Sequence, residues 1–233
     1  ALSTAIDARD QIGSGHVRRT QIYAIGLGKV LGLSDEDISS LRTAALLHDI
    51  GKLAVPDHIL SKPGRLSESE FDKTKIHSTV GASILETIDF GHPVAATVRT
   101  HHENWDGTGY PDGLIGEKIP LTGRILAVAD AYDTMRSIRP YRAPISRDDA
   151  RKELLRCAGA QFEPNLVHNF LKHLTAFEAE INDAGYSYPD VENPIGTEPA
   201  RHHYIDQIKQ ANKEVFSLFE LSRQFAPAQK IDE

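Results

Sequence analysis

The chain has 233 residues, of which 40% are hydrophobic and 25% charged, as in a globular protein with one large domain or one domain plus an appendage. A net charge of −7 argues against a surface that coats nucleic acid polymers, but allows a local basic pocket for a small anion. The single cysteine, Cys157, cannot form an intrachain disulfide, which suits a reducing cytoplasm. No apolar run approaches the ~20 residues that span a bilayer, so we expect no membrane insertion and a cytoplasmic location. Because the chain begins at Ala1 without a methionine, we expect a piece of a longer protein.

Helical patterns dominate the first three quarters of the chain. Three predicted helices each begin with a serine that is followed three residues later by an acidic residue, a pattern typical of helix caps. These pairs are Ser34 with Asp37, Ser67 with Glu70, and Ser146 with Asp149. Apolar residues from Phe71 to Leu85 recur at helical spacing, and "LTGRILAVADAYDTM" predicts a central helix that is apolar on most sides. Pro164 opens a further helix, no strand pattern competes, and the sequence predicts an all-α bundle.

Two stretches and the C-terminal region depart from this pattern. Residues 53–66 and 104–120 are rich in Pro, Gly and Asp and predict loops, and a loop of the second length is often functional. We expect a domain over residues 1–174 and a linker over 175–200. Residues 201–233 then predict a C-terminal helix with a regulatory or interaction role, which packs on the bundle, on a second copy or on another domain.

Histidines and aspartates in several predicted helices have the residue types of a metal site. They are His16, His48, Asp49, His77, His101, His102 and Asp130. Asp130 lies within an apolar helix, where an ionised carboxylate is costly without a cation. Helical bundles build dinuclear sites from imidazoles and carboxylates on facing helices, and this donor set suits iron, manganese or zinc. Asp49, adjacent to His48, is the natural bridge between two ions.

Each of these residues alone has an ordinary structural interpretation, but their order along the chain is specific. The motifs are His16, "HDIGK" at 48–52, His77, "HHE" at 101–103, "DGTGYP" at 106–111, Asp130 and "RPYR" at 139–142. Together they resemble the HD-GYP family, which are metal-dependent phosphodiesterases of the HD superfamily. The resemblance covers residues 1–174 and implies an HD-domain-like helical bundle with a long GYP loop. It further implies hydrolysis of cyclic di-GMP to pGpG, with cleavage to GMP left open, through a hydroxide that bridges two divalent metal ions, iron or manganese.

The resemblance also assigns roles to residues. It implies that the seven histidines and aspartates named above are metal ligands, with Asp49 and Lys52 as catalytic residues. The residues it places on the substrate are Tyr110, Arg139 and Arg142, with Gly109 and Pro111 beside them. Some family members have a glutamate four residues before the first histidine that helps to hold a third metal ion. Ile12 occupies that position here, so we expect a dinuclear centre.

Two other functions remain open at this point. The chain could be a non-catalytic receptor or docking module, which binds a cyclic dinucleotide or a diguanylate cyclase without turnover. It could also hydrolyse another cyclic dinucleotide, such as cyclic GMP-AMP. Because all seven implied ligands are present, the hydrolase is the leading hypothesis. The partners we expect are cyclic di-GMP, a sensor domain or diguanylate cyclase, and a second copy of the chain.

Overall fold

A computed structural model describes residues 15–62, 64–138 and 143–188. Over these ranges the chain is helical and contains no named strand, which confirms the all-α prediction. The helices are α1 (His16–Val30), α2 (Asp35–Leu47), α3 (Asp57–Leu60), α4 (Glu68–Glu86), α5 (Val94–Thr100), α6 (Leu121–Arg136), α7 (Arg147–Cys157) and α8 (Pro164–Asp183), with 3₁₀ helices at Ile50–Ala54 and Gly116–Lys118. Among these elements, no helix has the length and apolar character needed to cross a membrane.

The predicted helix starts are confirmed by their capping hydrogen bonds. The Ser67 hydroxyl accepts the Glu70 N–H, and the Glu70 carboxylate accepts the Ser67 N–H at 2.7 Å, which completes a capping box. Ser34 and Ser146 cap α2 and α7 through the backbone N–H three residues later. Pro164 is the first residue of α8, where its missing N–H costs nothing.

Helix α6 lies at the centre of the bundle, as its apolar character predicts. Its inward face is fully buried and contributes Ile125, Leu126, Val128, Ala129 and Tyr132 to the core. A Cβ atom at Gly123 would lie 2.3 Å from the Thr100 Oγ1 atom, so α5 and α6 meet at a contact that only glycine permits. This contact brings the end of α5, with the histidines that follow it, against the helix that carries Asp130.

The prediction that a linker begins at Thr175 is wrong for residues 175–183. Helix α8 continues to Asp183, and its residues Phe177 and Ile181 are buried in the core. They extend the helical spacing of Phe170 and Leu174, which is why the helix does not stop at 174. The predicted loop at 53–66 also contains regular structure, since α3 buries Ile59. Residues 184–188 follow α8 without regular secondary structure, as the predicted linker requires. Residues 189–200 of that linker and the predicted helix at 201–233 lie outside the described residues.

Candidate metal centre

One group of potential ligands joins three separated helices. His16 begins α1, His48 follows α2 and Asp130 lies in α6, and their ligand atoms are all within 4.8 Å of one another. The Oδ1 atom of Asp130 is 3.4 Å from the Nε2 atom of His16 and 3.7 Å from that of His48. We call these three residues the first cluster.

A second group lies beside it and consists only of imidazoles. His77 in α4 and His101 and His102 after α5 also place their ligand atoms within 4.8 Å of one another. The Nε2 atoms of His77 and His101 are 3.4 Å apart. We call these three residues the second cluster. All six residues of the two clusters were expected as ligands from the sequence.

Asp49 lies between the two clusters. Its Oδ2 atom is 3.3 Å from the Nε2 atom of His48, and its Oδ1 atom is 3.7 Å from that of His77. The Nζ atom of Lys52 is 2.9 Å from the same Oδ2 atom. One carboxylate oxygen therefore faces each cluster, which is the arrangement of a bridging ligand.

A glycine allows Asp49 to reach the second cluster. A Cβ atom at Gly51 would lie 1.8 Å from the His77 carbonyl oxygen and 2.5 Å from the Gly81 amide nitrogen. Both neighbours are backbone atoms, which cannot move aside as a side chain can. The glycine of "HDIGK" therefore permits the 3₁₀ helix Ile50–Ala54 to pack directly on the backbone of α4.

Four of the five histidines, His16, His48, His77 and His101, are oriented so that Nε2 faces the clusters. In three of them the Nδ1 atom contacts the carbonyl oxygen three residues earlier, and a carbonyl can only accept a hydrogen bond. These contacts are His48 to Ala45 at 3.0 Å, His77 to Thr74 at 2.7 Å and His101 to Val98 at 2.5 Å. In the neutral ring Nδ1 therefore carries the hydrogen and Nε2 the lone pair, as a metal ligand requires. His16 differs, because its Nδ1 atom contacts the carboxylate of Asp133 at 2.7 Å.

The unsatisfied atoms of the site fit a bound cation. The buried Nε2 atoms of His16 and His48 have no hydrogen-bond partner within the described ranges. Burial lowers the pKa of His101 to about 3 and that of His102 well below its ordinary value, with the neighbouring histidines adding to both shifts, so these rings are neutral. Neutral imidazoles whose Nε2 lone pairs face one another repel unless a cation lies between them. The donor set is therefore suited to divalent metal ions.

His48 has the opposite protonation tendency in the absence of a metal. Burial alone would lower its pKa, but the carboxylates of Asp49 and Asp130 raise it to about 9. A cation bound at the first cluster takes the place of this proton, because both need the Nε2 lone pair. The two clusters thus differ in charge as well as in composition.

The loop at 104–120 folds over the second cluster. The ring of Tyr110 lies 4.9 Å from the ring of His102, and its N–H donates to the His102 carbonyl at 3.1 Å. The buried carboxylate of Glu103 accepts the N–H groups of Asp112 at 2.7 Å and Leu114 at 3.0 Å. A Cβ atom at Gly109 would lie 2.2 Å from the Asn104 amide nitrogen, so this glycine lets the loop cross its own base. Tyr110 is consequently fixed at the rim of the candidate site.

Sequence reasoning missed two residues at this rim. Phe71, whose helical spacing suggested a core position, is 47% exposed, and its ring centroid lies 6.4 Å from that of Tyr110. The Nζ atom of Lys75 lies 5.0 Å from the Phe71 ring centroid and 5.8 Å from that of Tyr110. No signal in the sequence marks either residue, because both lie far from the GYP motif along the chain and the exposure of Phe71 is a property of the fold. Arg139 and Arg142 lie outside the described residues.

Comparison with known proteins agrees with this fold. A profile described as HD domain matches residues 1–166. The chain belongs to the HD domain family. Two solved structures share its fold: a cyclic GMP-AMP specific phosphodiesterase of V. cholerae (21% identity, TM-score 0.63, covering 92% of this chain and 58% of that one) and the protein Bd1817 of Bdellovibrio bacteriovorus (23% identity, TM-score 0.54, covering 70% of this chain and 52% of that one).

Curated relatives are more similar in sequence, and they confirm the resemblance to the HD-GYP phosphodiesterases. The chain is 41% identical over 173 residues to the cyclic di-GMP phosphodiesterase response regulator RpfG of Xanthomonas campestris, covering 73% of this chain and 46% of the relative. It is 38% identical to a cyclic di-GMP phosphodiesterase of Thermotoga maritima, covering 78% and 49%. It is also 38% identical to a 3'3'-cGAMP-specific phosphodiesterase of Vibrio cholerae, covering 76% and 34%. The matches therefore span between a third and a half of these relatives' length.

Proposed function

We propose that this chain is a metal-dependent phosphodiesterase that hydrolyses cyclic di-GMP. The observation that carries the proposal is the position of Asp49, with one carboxylate oxygen facing each of two buried ligand clusters. The seven residues would hold two divalent cations, and iron or manganese suits a donor set of imidazoles and carboxylates. Such ions, when bound, activate a water molecule and neutralise the non-bridging oxygens of a phosphodiester.

The chain's own residues have distinct tasks in this reaction. Asp49 orients the two halves of the centre relative to each other. Lys52, with its ammonium group held beside Asp49, is placed to contact a phosphate oxygen or to give a proton to the leaving oxygen. Burial raises the pKa of Tyr110, so its hydroxyl stays protonated and can donate a hydrogen bond, while its ring offers a stacking surface for guanine. Gly109 and Pro111 shape the loop that presents this side chain.

Two arginines complete the substrate site on sequence grounds. Arg139 and Arg142 are three residues apart, a spacing that places two guanidinium groups on one side of a helical turn. Guanidinium groups bind phosphate through two parallel hydrogen bonds. We assign them to the second phosphate of the cyclic dinucleotide, which explains how a chain with a net charge of −7 accommodates a dianion.

The substrate is proposed from the relatives' names together with the intact ligand set. Cyclic di-GMP phosphodiesterases of two organisms match this chain at 38–41% identity. Cyclic GMP-AMP is the second candidate, because the 38% identical V. cholerae relative is specific for it. A non-catalytic receptor is less well supported, since a protein that only binds has no need to preserve all seven ligands.

The test is anaerobic reconstitution of the metal-free protein with Mn(II) or Fe(II). Cyclic di-GMP and 3'3'-cGAMP are supplied in parallel, and the products are followed over time by chromatography. We expect pGpG to form only with metal, and the time course to show whether GMP follows. Tight binding of cyclic di-GMP without turnover would favour the receptor, and faster turnover of 3'3'-cGAMP would favour the second substrate. Elemental analysis should give two metal ions per chain, and three would contradict the dinuclear centre.

A further inference from the structure

The carboxylate of Asp133 is buried beneath the first cluster, one helical turn after Asp130 in α6. Four residues donate hydrogen bonds to it. They are His16 through Nδ1 at 2.7 Å, Arg19 through Nε at 2.5 Å and Nη2 at 3.2 Å, Ser137 through Oγ at 2.9 Å, and Tyr188 through its hydroxyl at 2.6 Å. Asp133 therefore connects His16, which faces the first cluster, to Tyr188, which follows the last described helix.

Tyr188 is held firmly in this position. Two guanidinium groups contact its ring, those of Arg19 at 4.7 Å and Arg136 at 4.9 Å from the ring centroid. The Tyr23 hydroxyl oxygen is 3.1 Å away. A tyrosine has one hydroxyl hydrogen, and the charged carboxylate is its closer acceptor, so Tyr23 acts as the donor in that pair. These contacts fix where the Tyr188 hydroxyl points.

His16 depends on such an arrangement more than the other histidines do. His48, His77 and His101 are oriented by a carbonyl oxygen three residues earlier. His16 is the first residue of α1, so no preceding turn of that helix offers a carbonyl to its Nδ1 atom. Its ring orientation is set instead by Asp133, which is separated from it by 117 positions in the sequence.

We propose that Tyr188 is a positioning residue for the metal ligand His16, acting through the carboxylate of Asp133. The proposal rests on the proposed metal centre. The Tyr188 hydroxyl and the Arg19 Nε group both bind Asp133 Oδ1, and together they fix the rotation of the carboxylate whose other oxygen receives His16. Without the hydroxyl the carboxylate gains freedom to rotate, and the lone pair of His16 is less well directed at a cation.

The expected effect is selective for one cluster. Partners of metal-bound histidines typically contribute about 10- to 100-fold in metal affinity, and Asp133→Asn should fall in that range. That variant also deprives buried Arg19 of its carboxylate and is prone to unfold. Tyr188→Phe keeps the ring against the guanidinium groups. We expect it to weaken metal binding at the first cluster by about 3- to 10-fold, less than the loss of a direct partner of the histidine, because Tyr188 acts through Asp133. The second cluster should be unaffected.

The test is Mn(II) titration of the metal-free, 233-residue chain, monitored by calorimetry and by the electron paramagnetic resonance signal of unbound Mn(II). Tyr186→Phe is the matched control, because Tyr186 contacts Arg19 through its backbone carbonyl rather than its hydroxyl. We expect Tyr188→Phe to weaken one of two binding steps and Tyr186→Phe to weaken neither. Urea denaturation of each metal-free variant checks that it is folded. Unchanged affinities in Tyr188→Phe would overturn the proposal.

A double-mutant cycle separates positioning from general structural support. In a His16→Ala background, adding Tyr188→Phe should leave the remaining Mn(II) affinity unchanged, since the residue through which it acts is gone. In a His102→Ala background, which disrupts the second cluster, Tyr188→Phe should still weaken binding. A similar loss in both backgrounds would overturn the proposal. If the wild-type chain bound no Mn(II), the proposed metal centre itself would fail, and that result is distinct from equal binding by wild type and Tyr188→Phe.

Discussion

The two ligand clusters lie side by side, but they are built in different ways. The second cluster draws on α4 and the end of α5, and two of its histidines are oriented by carbonyl groups of their own helices. The first cluster joins the start of α1, the end of α2 and the interior of α6, which are far apart in sequence, and it depends on a buried carboxylate for the orientation of His16. Local helix geometry therefore orients His77 and His101, whereas His16 takes its orientation only when α1 and α6 have packed together.

Asp49→Ala should have the largest effect, because Asp49 is the residue that contacts both clusters. We expect turnover of cyclic di-GMP to fall by at least about 1,000-fold, a loss at the upper end of those seen when one stabilising group is removed from an active site. The measurement is the initial rate with saturating Mn(II), and Asp148→Ala, an exposed change on α7, is the control. Activity near that of the wild type in Asp49→Ala would contradict the bridging role.

Gly51→Ala would separate the clusters without removing a ligand. The added Cβ atom would lie 1.8 Å from the His77 carbonyl oxygen, so the 3₁₀ helix must move away from α4 and take Asp49 with it. We expect a loss of about 1–3 kcal/mol in the free energy of unfolding, as for other overpacked contacts, and weaker Mn(II) binding. Urea denaturation and Mn(II) titration measure these effects. Gly32→Asn is the control, since its backbone φ of 72° suits asparagine and no atom lies within 4 Å of the added Cβ; equal losses in both variants would refute the contact argument.

The clusters should respond to pH in opposite directions in the metal-free protein. The pKa of His101 is lowered to about 3, so below pH ~6.5 the unfolded chain binds a proton that the folded chain does not, and stability falls on acidification. The pKa of His48 is raised to about 9, so its stabilising contribution is complete below pH ~6.5 and is lost as the pH rises through 9. Stability is plotted against pH from denaturation midpoints measured between pH 4 and 10, a range of about 6 units around the ordinary histidine pKa. The fall in stability at low pH is the acid limb of this profile, and the fall at high pH is the alkaline limb.

Substitutions assign each limb of that pH profile to its cluster. His101→Gln should make the loss of stability at acidic pH shallower, because glutamine does not titrate while His102 still does, and should leave the loss at alkaline pH in place. His48→Gln should do the reverse. If both variants changed the same limb, the two clusters would not differ in charge as the structure indicates.

Much of the fold, and the residues that the structure brings together in the two clusters, followed from the sequence. Helix caps such as the Ser67–Glu70 box are local, and the ligand set came from a resemblance that depends on the order of motifs. Contacts over long sequence distances could not be found in this way. The hydrogen bond that the Tyr188 hydroxyl donates to Asp133 joins residues 55 positions apart, and nothing in the local sequence marks either as part of a metal site.

Backbone packing was equally hidden. The sequence shows a glycine at 51 but not the α4 backbone that it touches, and it shows an apolar Phe71 without revealing that this ring is exposed beside Tyr110. The end of α8 was misplaced for a related reason. Acidic residues at 178 and 180 interrupt the apolar pattern around Phe177 and Ile181. The structure shows that Phe177 and Ile181 both lie on the buried face of α8.

The smallest expected effect concerns the loop over the second cluster. Glu103→Gln keeps the shape of the side chain but replaces one of the oxygens that accept the Asp112 and Leu114 N–H groups with an amide that cannot accept. Because these bonds fix the loop that carries Tyr110, we expect KM for cyclic di-GMP to rise about 3- to 10-fold, as for the loss of a hydrogen bond of about 0.5–1.5 kcal/mol, with kcat little changed. Mn(II) affinity should stay at the wild-type value, since Glu103 contacts no ligand atom in the described structure.

Arg99→Ala provides the control for this loop. Arg99 also bonds to Asp112, through Nε and Nη2 at 2.7 Å, but the pair is over a third exposed and such surface pairs contribute less than about 1 kcal/mol. Its KM should therefore stay within about 2-fold of the wild-type value. If Arg99→Ala raised KM more than Glu103→Gln did, the loop would be held from its surface rather than from the buried carboxylate beside the histidine pair. The loop over the second cluster would then depend on the exposed Arg99–Asp112 pair, which salt screens. The affinity of the protein for its substrate would therefore fall as ionic strength rises.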